Sequence, residues 1–477
     1  MATASRIQEA TLPDTPALPV ELDRASPTPL AVQLAEQLRA FAADGTLRSG
    51  DRLPSTRALA AQLSVSRTVT AAAYEQLHAE GWITGKHGSG TYVTTAPPGS
   101  PADRPRPQRA AAGPPAAVDL RPGAPWVEGL DRAAWRRAWR GAADVPLLER
   151  HQRAGVPAYR AAVAEHLLRH RGLRVSGFDD HHGGEAVLAT GGTTAAVFEL
   201  ASAVLRPGDV VAVEDPGYQR AVATFQAAGM RVVPVPVDRD GLLVDAVPPG
   251  TRAVYCSPAH QYPLGQRMSA TRRVELVERA RRESWLVVED DYDGELRYDV
   301  APLPLLAAMA PDVVVHLGTT SKILTPVLGV GWMVGPGPVI TTVLEHRDDT
   351  GTTPSAAGQL VLVELARNGD LGRHLRKLRR ELSDRRAALV TALHQAHLPT
   401  LGDDAGAHIV IPLPHPAAER AVIEAGRHRA LQLDGLARHH QGPARTAGLA
   451  IGYAAATRAQ FTAAIPTLVD LLSTALT

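Results

Sequence analysis

Val313-Val314-Val315-His316-Leu317-Gly318-Thr319-Thr320-Ser321-Lys322 runs from an apolar stretch of strand length into three small hydroxyl residues and a lysine. A lysine at the end of a buried strand is poorly placed as a surface charge. It is well placed as an amine that forms a Schiff base. The hydroxyls and backbone N–H groups beside it suit a phosphate. About thirty residues upstream a second apolar run ends in Glu289-Asp290-Asp291-Tyr292. A lysine for an aldehyde, a carboxylate for a pyridinium nitrogen and hydroxyls for a phosphate together describe a site for pyridoxal 5'-phosphate, PLP.

Outward from this stretch the chain alternates strand-like and helix-like segments from about residue 119 to its end. Val187–Thr190, Val210–Val213, Val232–Val237, Ala253–Cys256, Leu286–Glu289 and Val313–Leu317 read as strands. Near-continuous apolar strands between helices imply a mostly parallel sheet covered on both faces. Ligands in such sheets bind beyond the carboxyl ends of the strands. Lys322, Asp290, Tyr292 and Gly191-Gly192-Thr193 are all expected there.

The 477 residues exceed one ordinary domain, and 45% hydrophobic with 21% charged residues is a globular composition. A formal net charge of +1 gives no global field for nucleic acid, so any DNA contact must come from a local patch. A single cysteine, Cys256, rules out a disulfide framework and fits a reducing cytoplasm. No run is long and apolar enough for a membrane span, the first residues do not read as a signal peptide, and no metal-ligand pattern is read.

Residues 1–27 read as a polar, proline-dotted lead-in, 28–94 as a compact module, 95–118 as a proline-rich linker and 119–477 as the large unit. In the module, Leu30, Leu34, Leu38 and Phe41 recur at helical spacing. Pro54-Ser55 opens a second helix carrying Leu59 and Leu63. Ser64-Val65-Ser66 reads as a turn and N-cap before a third helix with Val69, Ala73 and Leu77 inward. Trp82–Thr84 and Thr91–Val93 flank a glycine-rich hairpin tip. Helix, helix, turn, helix, hairpin is the order of a winged helix-turn-helix, whose second helix enters the major groove. Ser66, Arg67, Thr68 and Thr70 begin that helix, Arg57 starts the preceding one, and His87 and Gly88 sit on the wing. From Arg52 to Tyr74 there are three arginines and no acidic residue.

Leu53-Pro54-Ser55-Thr56-Arg57-Ala58-Leu59-Ala60, Val65-Ser66-Arg67-Thr68 and Gly88-Ser89-Gly90-Thr91-Tyr92-Val93 resemble the GntR-type winged helix. Glu214-Asp215-Pro216-Gly217-Tyr218, Ser257-Pro258-Ala259-His260-Gln261-Tyr262-Pro263, Glu289 to Tyr298 and Gly318 to Lys322 resemble a fold-type I aminotransferase. The two joined by a linker are similar to a MocR-family transcriptional regulator. The resemblance implies an α/β body with a mostly parallel sheet and a smaller C-terminal α/β subdomain. It implies that Lys322 holds PLP as an internal aldimine, that Asp290 pairs with the ring nitrogen, and that Tyr292 bonds the ring hydroxyl. Tyr218 would lie near the ring, and Gly192, Thr193, Thr319 and Ser321 would surround the phosphate. Arg220 would meet an effector carboxylate, though a solvated arginine fits the sequence as well. A homodimer on double-stranded operator DNA, a small amine or amino-acid effector and a cytoplasmic setting complete the implied picture. His260 reads equally as structural or functional. The basic run Arg373 to Arg386 reads as a solvated helix face, with DNA contact as the rival.

The chain departs from that family at three positions. Gly329 stands where a phosphate-binding arginine is usual, seven residues after the lysine. Thr194 replaces a glutamine, and Ala450 stands where some members carry a carboxylate-binding arginine. The Gly329 and Ala450 changes argue against efficient transamination. Three functions remain in view: a regulator that senses an amine, an amino acid or PLP itself; an aminotransferase with a vestigial head; and a regulator whose large unit no longer binds PLP.

Overall fold

The computed structural model describes residues 18–86, 90–94, 117–146, 152–175, 186–298 and 304–476. It divides the chain into two compact units, residues 1–112 and 113–477. His87, Gly88, the first part of the lead-in and linker residues 95–116 lie outside the described residues.

The first unit runs α1 Leu30–Ala43, β1 Arg52–Leu53, α2 Thr56–Gln62, α3 Arg67–Ala79, β2 Ile83–Lys86 and β3 Gly90–Val93. The order follows from local chemistry. Ser55 caps α2 by accepting from Ala58 N at 3.1 Å. Ser64 turns the chain through a positive φ of 51° between α2 and α3. Leu34, Leu38, Leu59, Ala73, Leu77, Ile83 and Val93 form the core, and β1 and β2 flank β3 in a small antiparallel sheet. Leu18, Val20 and Leu22 pack on this core, and Glu21 N donates to Gln37 Oε1 at 3.0 Å. The end of the expected lead-in is thus part of the head, because its alternate apolar residues have a surface to cover.

The large unit begins with β4 Val118–Asp119, α4 Arg132–Ala143 and α5 Pro157–Arg171. Then come β5 Val187–Thr190, α6 Thr193–Val204, β6 Val210–Asp215, α7 Gln219–Ala227, β7 Arg231–Asp238, β8 Gly241–Leu242, β9 Thr251–Cys256 and α8 Ala270–Glu283. β10 Leu286–Asp291, α9 Leu306–Met309, β11 Val314–Thr319, β12 Gly331–Val334, α10 Gly337–Thr350, α11 Ala356–Arg367 and α12 Asp370–Gln395 follow. β13 His408–Pro412, α13 Pro416–His428, β14 Leu431–Gln432, β15 Asp434–Gly435, β16 Gly448–Gly452 and α14 Arg458–Leu476 close the chain.

The eight-stranded sheet has the order β5-β12-β11-β10-β9-β6-β7-β8. The run from β11 to β7 is parallel, whereas β12 is antiparallel to both β5 and β11, and β8 to β7. Neither β12 nor β8 was legible, since each is short and begins with glycine. Both faces are covered, as expected. Val211, Val213, Val288 and Val315 meet α6, α7 and α10, while Ala212, Val254, Val287 and Val314 meet the core that contains α5 and α8. β13, β16 and β15 form a smaller antiparallel sheet beside α12, α13 and α14, and β14 pairs with β4. Val118, expected to end the linker, therefore starts the large unit's own pairing.

The basic run on α12 is not a uniformly solvated face. Arg385 is buried, donating to Ala456 O at 2.6 Å and Tyr453 O at 3.2 Å. Arg379 donates to Glu295 O at 2.7 Å, and Arg386 pairs with Asp404. Guanidinium groups here satisfy loop carbonyls that the packing would leave bare.

Candidate functional site

In the head, Arg57, Ser66, Arg67 and Thr68 are exposed at the starts of α2 and α3. Among the described residues no ion pair engages Arg57 or Arg67. Thr70 corrects the sequence expectation. It is fully buried, and its hydroxyl bonds Thr56 O at 2.8 Å and Arg67 O at 3.0 Å. Its hydroxyl is thus spent inside the head, tying α3 to the start of α2.

In the large unit, the carboxyl ends of the parallel strands open onto a cavity of about 570 Å³. Gly192, Thr193, Tyr218, Arg220, Asp290, Tyr292, Thr319, Ser321 and Lys322 all line it. Strand alternation explains why Glu289-Asp290-Asp291 divides its work. Glu289 turns away to accept from Leu306 N at 2.7 Å and Ala307 N at 3.1 Å. Asp291 turns away to pair with buried Arg171 at 2.7 Å. Asp290 alone faces the cavity.

Asp290 is buried; its Oδ2 accepts the hydroxyl of fully buried Tyr255, and its Oδ1 has no partner. Burial pushes its pKa up to about 7, against the hydrogen bond from Tyr255, which favours the charged form. A protonated pyridine nitrogen is the donor that the orphan oxygen lacks. Lys322 Nζ donates to Gly123 O at 2.6 Å, and burial holds its pKa below the usual lysine value. Tyr292 OH lies 3.0 Å from His260 Nδ1, which lies 2.8 Å from Asp293 Oδ2. His260 therefore anchors Tyr292. Tyr262 meets both Tyr218 and Tyr292 edge-on.

The phosphate end is built from the turn before α6 and the turn after β11. Gly192 has φ +105°, and a Cβ there would come within 3.5 Å of Thr319 Oγ1. Thr319 Oγ1 and Ser321 Oγ lie 3.0 Å apart. The hydroxyls converge with the N-terminus of a 12-residue helix, a site suited to an anion. These residues fit PLP. Gly329 is not part of the lining; it caps a short turn at φ +59°, and a Cβ there would meet nothing within 4 Å. Sequence reasoning missed Gly123, Tyr255, Asp293, Arg438 and His439. Tyr255 sits at a strand end and could have been found by the same rule as Asp290. Arg438 and His439 reach the cavity from the C-terminal subdomain, which no strand-end rule reveals.

Comparison with known proteins agrees with both halves. Residues 30–93 match the family "Bacterial regulatory proteins, gntR family", and residues 132–465 match "Aminotransferase class I and II". The chain is 33% identical to the HTH-type pyridoxine biosynthesis transcriptional regulator PdxR of Corynebacterium glutamicum, covering 91% of this chain and 94% of that one. It is 32% identical to the probable rhizopine catabolism regulatory protein MocR of Rhizobium meliloti, covering 91% and 92%. The chain belongs to the MocR-type family of HTH transcriptional regulators. The regulator's large unit has the fold of Pyrococcus horikoshii kynurenine aminotransferase, with a TM-score of 0.66 at 23% identity over 76% of this chain and 92% of that one. Among the described residues no helix is long and apolar enough to cross a membrane.

Two buried acids whose pKa values are raised, Asp290 and Glu214, should make the protein's stability depend on pH. Burial raises Glu214 to about 8, and its Oε1 has no partner. A carboxyl with a raised pKa contributes stability that is complete below its unfolded value, near 4, and lost as pH rises through its folded value. For Asp290 and Glu214 that window runs from about pH 4 to about 7 and about 8. Each tenfold change in proton affinity is about 1.4 kcal/mol. The protein without PLP should therefore lose thermal stability from pH 5 to pH 8.5. Asp290→Asn and Glu214→Gln should each flatten that fall in a melting series. Parallel curves for wild type and both variants would contradict the assignment.

Proposed function

We propose that this regulator holds PLP on Lys322 and that the state of that site sets the affinity of the GntR-type head for operator DNA. The observation that carries the reading is the pairing of a half-buried lysine with a buried, half-satisfied Asp290 in one cavity. When bound, PLP supplies an aldehyde that captures amines and a ring that acts as an electron sink. The chain's own residues do the rest. Lys322 presents the amine. Asp290 keeps a ring nitrogen protonated, Tyr292 donates or accepts at the ring hydroxyl, and the Thr319 and Ser321 hydroxyls hold the phosphate. An amine or amino acid that takes the place of Lys322 would shift a two-state equilibrium that the head reads. The pyridoxine-related name of the Corynebacterium relative supports PLP itself as a second candidate signal. A homodimer suits a two-half-site operator. Exposed Trp139 and Phe198 on the large unit are compatible with one. Ala450, packed with Leu264, Val410 and Leu436, supports regulation over turnover.

The test is a PLP titration followed by visible absorbance, with DNA affinity measured on fragments that the protein selects from a random pool. PLP alone, and PLP with an amine, separate the two signals. No absorbance and no change in DNA affinity in either arm would refute the reading.

Gly329 bears on how tightly PLP is held. A lost charge-assisted bond is worth roughly 1.5–3 kcal/mol. Restoring it in Gly329→Arg costs the fold, not the affinity, because a left-handed backbone disfavours a side chain by about 1–2 kcal/mol whether or not PLP is bound. Open space at the Cβ removes any clash. PLP affinity should therefore rise in the variant by about a hundredfold at most. A weaker variant would mean that the cup does not lack a cation, with Arg220 the candidate to supply it.

A further inference from the structure

The head carries a cation that the helix-turn-helix reading leaves unused. Leu18, Val20 and Leu22 alternate along the segment before α1 and pack on the head's core. The residues between and after them are held by two side-chain amides of α1. Gln37 Oε1 accepts from Glu21 N at 3.0 Å, and Gln37 Nε2 donates back to Glu21 O. Gln33 does the same for Asp23, at 2.9 Å in both directions. The spacing allows this. Four residues of helix advance about 6 Å, close to the roughly 6.6 Å spanned by two residues of extended chain. Asp23 Oδ1 then accepts from Ala25 N at 2.8 Å, which spends that carboxylate on its own turn.

This clamp delivers Arg24 to the turn between α2 and α3. Its Nη2 donates to the carbonyl of Ser64 at 2.6 Å, the residue that turns the chain at a positive φ of 51°. Ser66 caps α3 two residues later, and Arg67 opens the helix. Arg24 is exposed, and among the described residues no ion pair engages it. A guanidinium has five N–H donors. One is spent on Ser64 O, and the others are left for an anion. A side chain already tied at one end gives up less freedom on binding than a loose one.

We infer that Arg24 holds a phosphate of the operator backbone while its bond to Ser64 steadies the turn that aims α3. The ligand is the phosphodiester of double-stranded DNA. Such a contact fixes register and orientation without reading sequence. The inference needs only the DNA-binding head and is independent of the PLP site.

The experiment measures DNA affinity of full-length protein across a salt series, in whichever of the PLP-free and PLP-loaded forms binds more tightly. The probes are a fragment that the protein selects from a random pool and an unrelated duplex. Arg24→Gln removes the charge and keeps N–H donors. It should weaken binding to both duplexes alike, by about three- to tenfold, and lower the salt slope by about one. Arg24→Lys, which keeps the charge, should keep the wild-type slope. A preparation with fewer competent molecules loses affinity by one factor at every salt concentration, so misfolding leaves the slope where it was. An unchanged slope in Arg24→Gln therefore overturns the inference, whether affinity falls or not. A loss confined to the selected fragment overturns it too, because Arg24 would then read bases. Wild type that binds neither duplex refutes the DNA-binding head, and the inference with it.

Discussion

Replacing Lys322 with alanine should abolish all covalently held, borohydride-reducible PLP while the protein stays folded. Lys322 makes one hydrogen bond, to Gly123 O. Losing it leaves a carbonyl short of a partner, a cost of about 1–3 kcal/mol at most. A large domain with two apolar cores tolerates that. The chemical loss is all-or-none, because the chain has three lysines, at 86, 322 and 377. Lys377 is occupied elsewhere: its Nζ donates to Gly129 O at 3.2 Å and lies 5.4 Å from the Trp126 ring centroid. Lys86 belongs to the other unit. Burial also prepares Lys322 for the reaction by lowering its pKa, against the attraction of Asp293 and Asp290. More of its amine is neutral and nucleophilic at a given pH. Mass spectrometry after reduction reads the result. The adduct should sit on the peptide holding Lys322 in wild type and on no peptide in the variant. A label on Lys86 or Lys377, or none on wild type at saturating PLP, would sink the assignment.

The two strand-end motifs were legible because a strand's alternation and polarity are fixed locally. An apolar run that stops at Asp290 or Thr319 announces the carboxyl edge of a buried sheet, and ligands gather there. What failed depended on distant partners. Thr70 looked groove-facing because it lies in the first turn of α3; only the approach of α2 shows that its hydroxyl is spent on Thr56 O. The arginines of α12 looked solvated because a sequence does not reveal which loop carbonyls will be left bare against a helix. Arg438 was invisible for a similar reason. Asp434 and Arg438 are four residues apart, an ordinary local pair. Their meaning comes from the cavity that β6, β10 and β11 open beside them. Asp290 falls between these cases. Its position was readable, but its orphan oxygen and its tie to Tyr255 required the packed sheet.

Arg67→Ala should weaken binding to specific DNA by roughly 1–3 kcal/mol, about ten- to a hundredfold, if the side chain forks onto a guanine edge. The folded head gains nothing visible from this residue. Arg67 is the first residue of α3, is exposed, and has no acidic neighbour in the first turn of its helix. A cation at a helix N-terminus opposes the macrodipole by about 0.3–1 kcal/mol. The first turn of α2 also lacks an acidic residue while holding Arg57. Two helix starts that keep arginine and omit acid bear a small stability cost, which an anion outside the protein would offset. The variant should thus melt at the same temperature or slightly higher while binding DNA less well, and opposite signs separate contact from folding. Competition with non-specific DNA then identifies the contact. A base-edge arginine loses specificity at one position. A phosphate contact instead weakens all sequences alike and reduces the salt slope by about one. A variant with lower stability and unchanged DNA affinity would place Arg67 in the fold of the head and remove it from the interface.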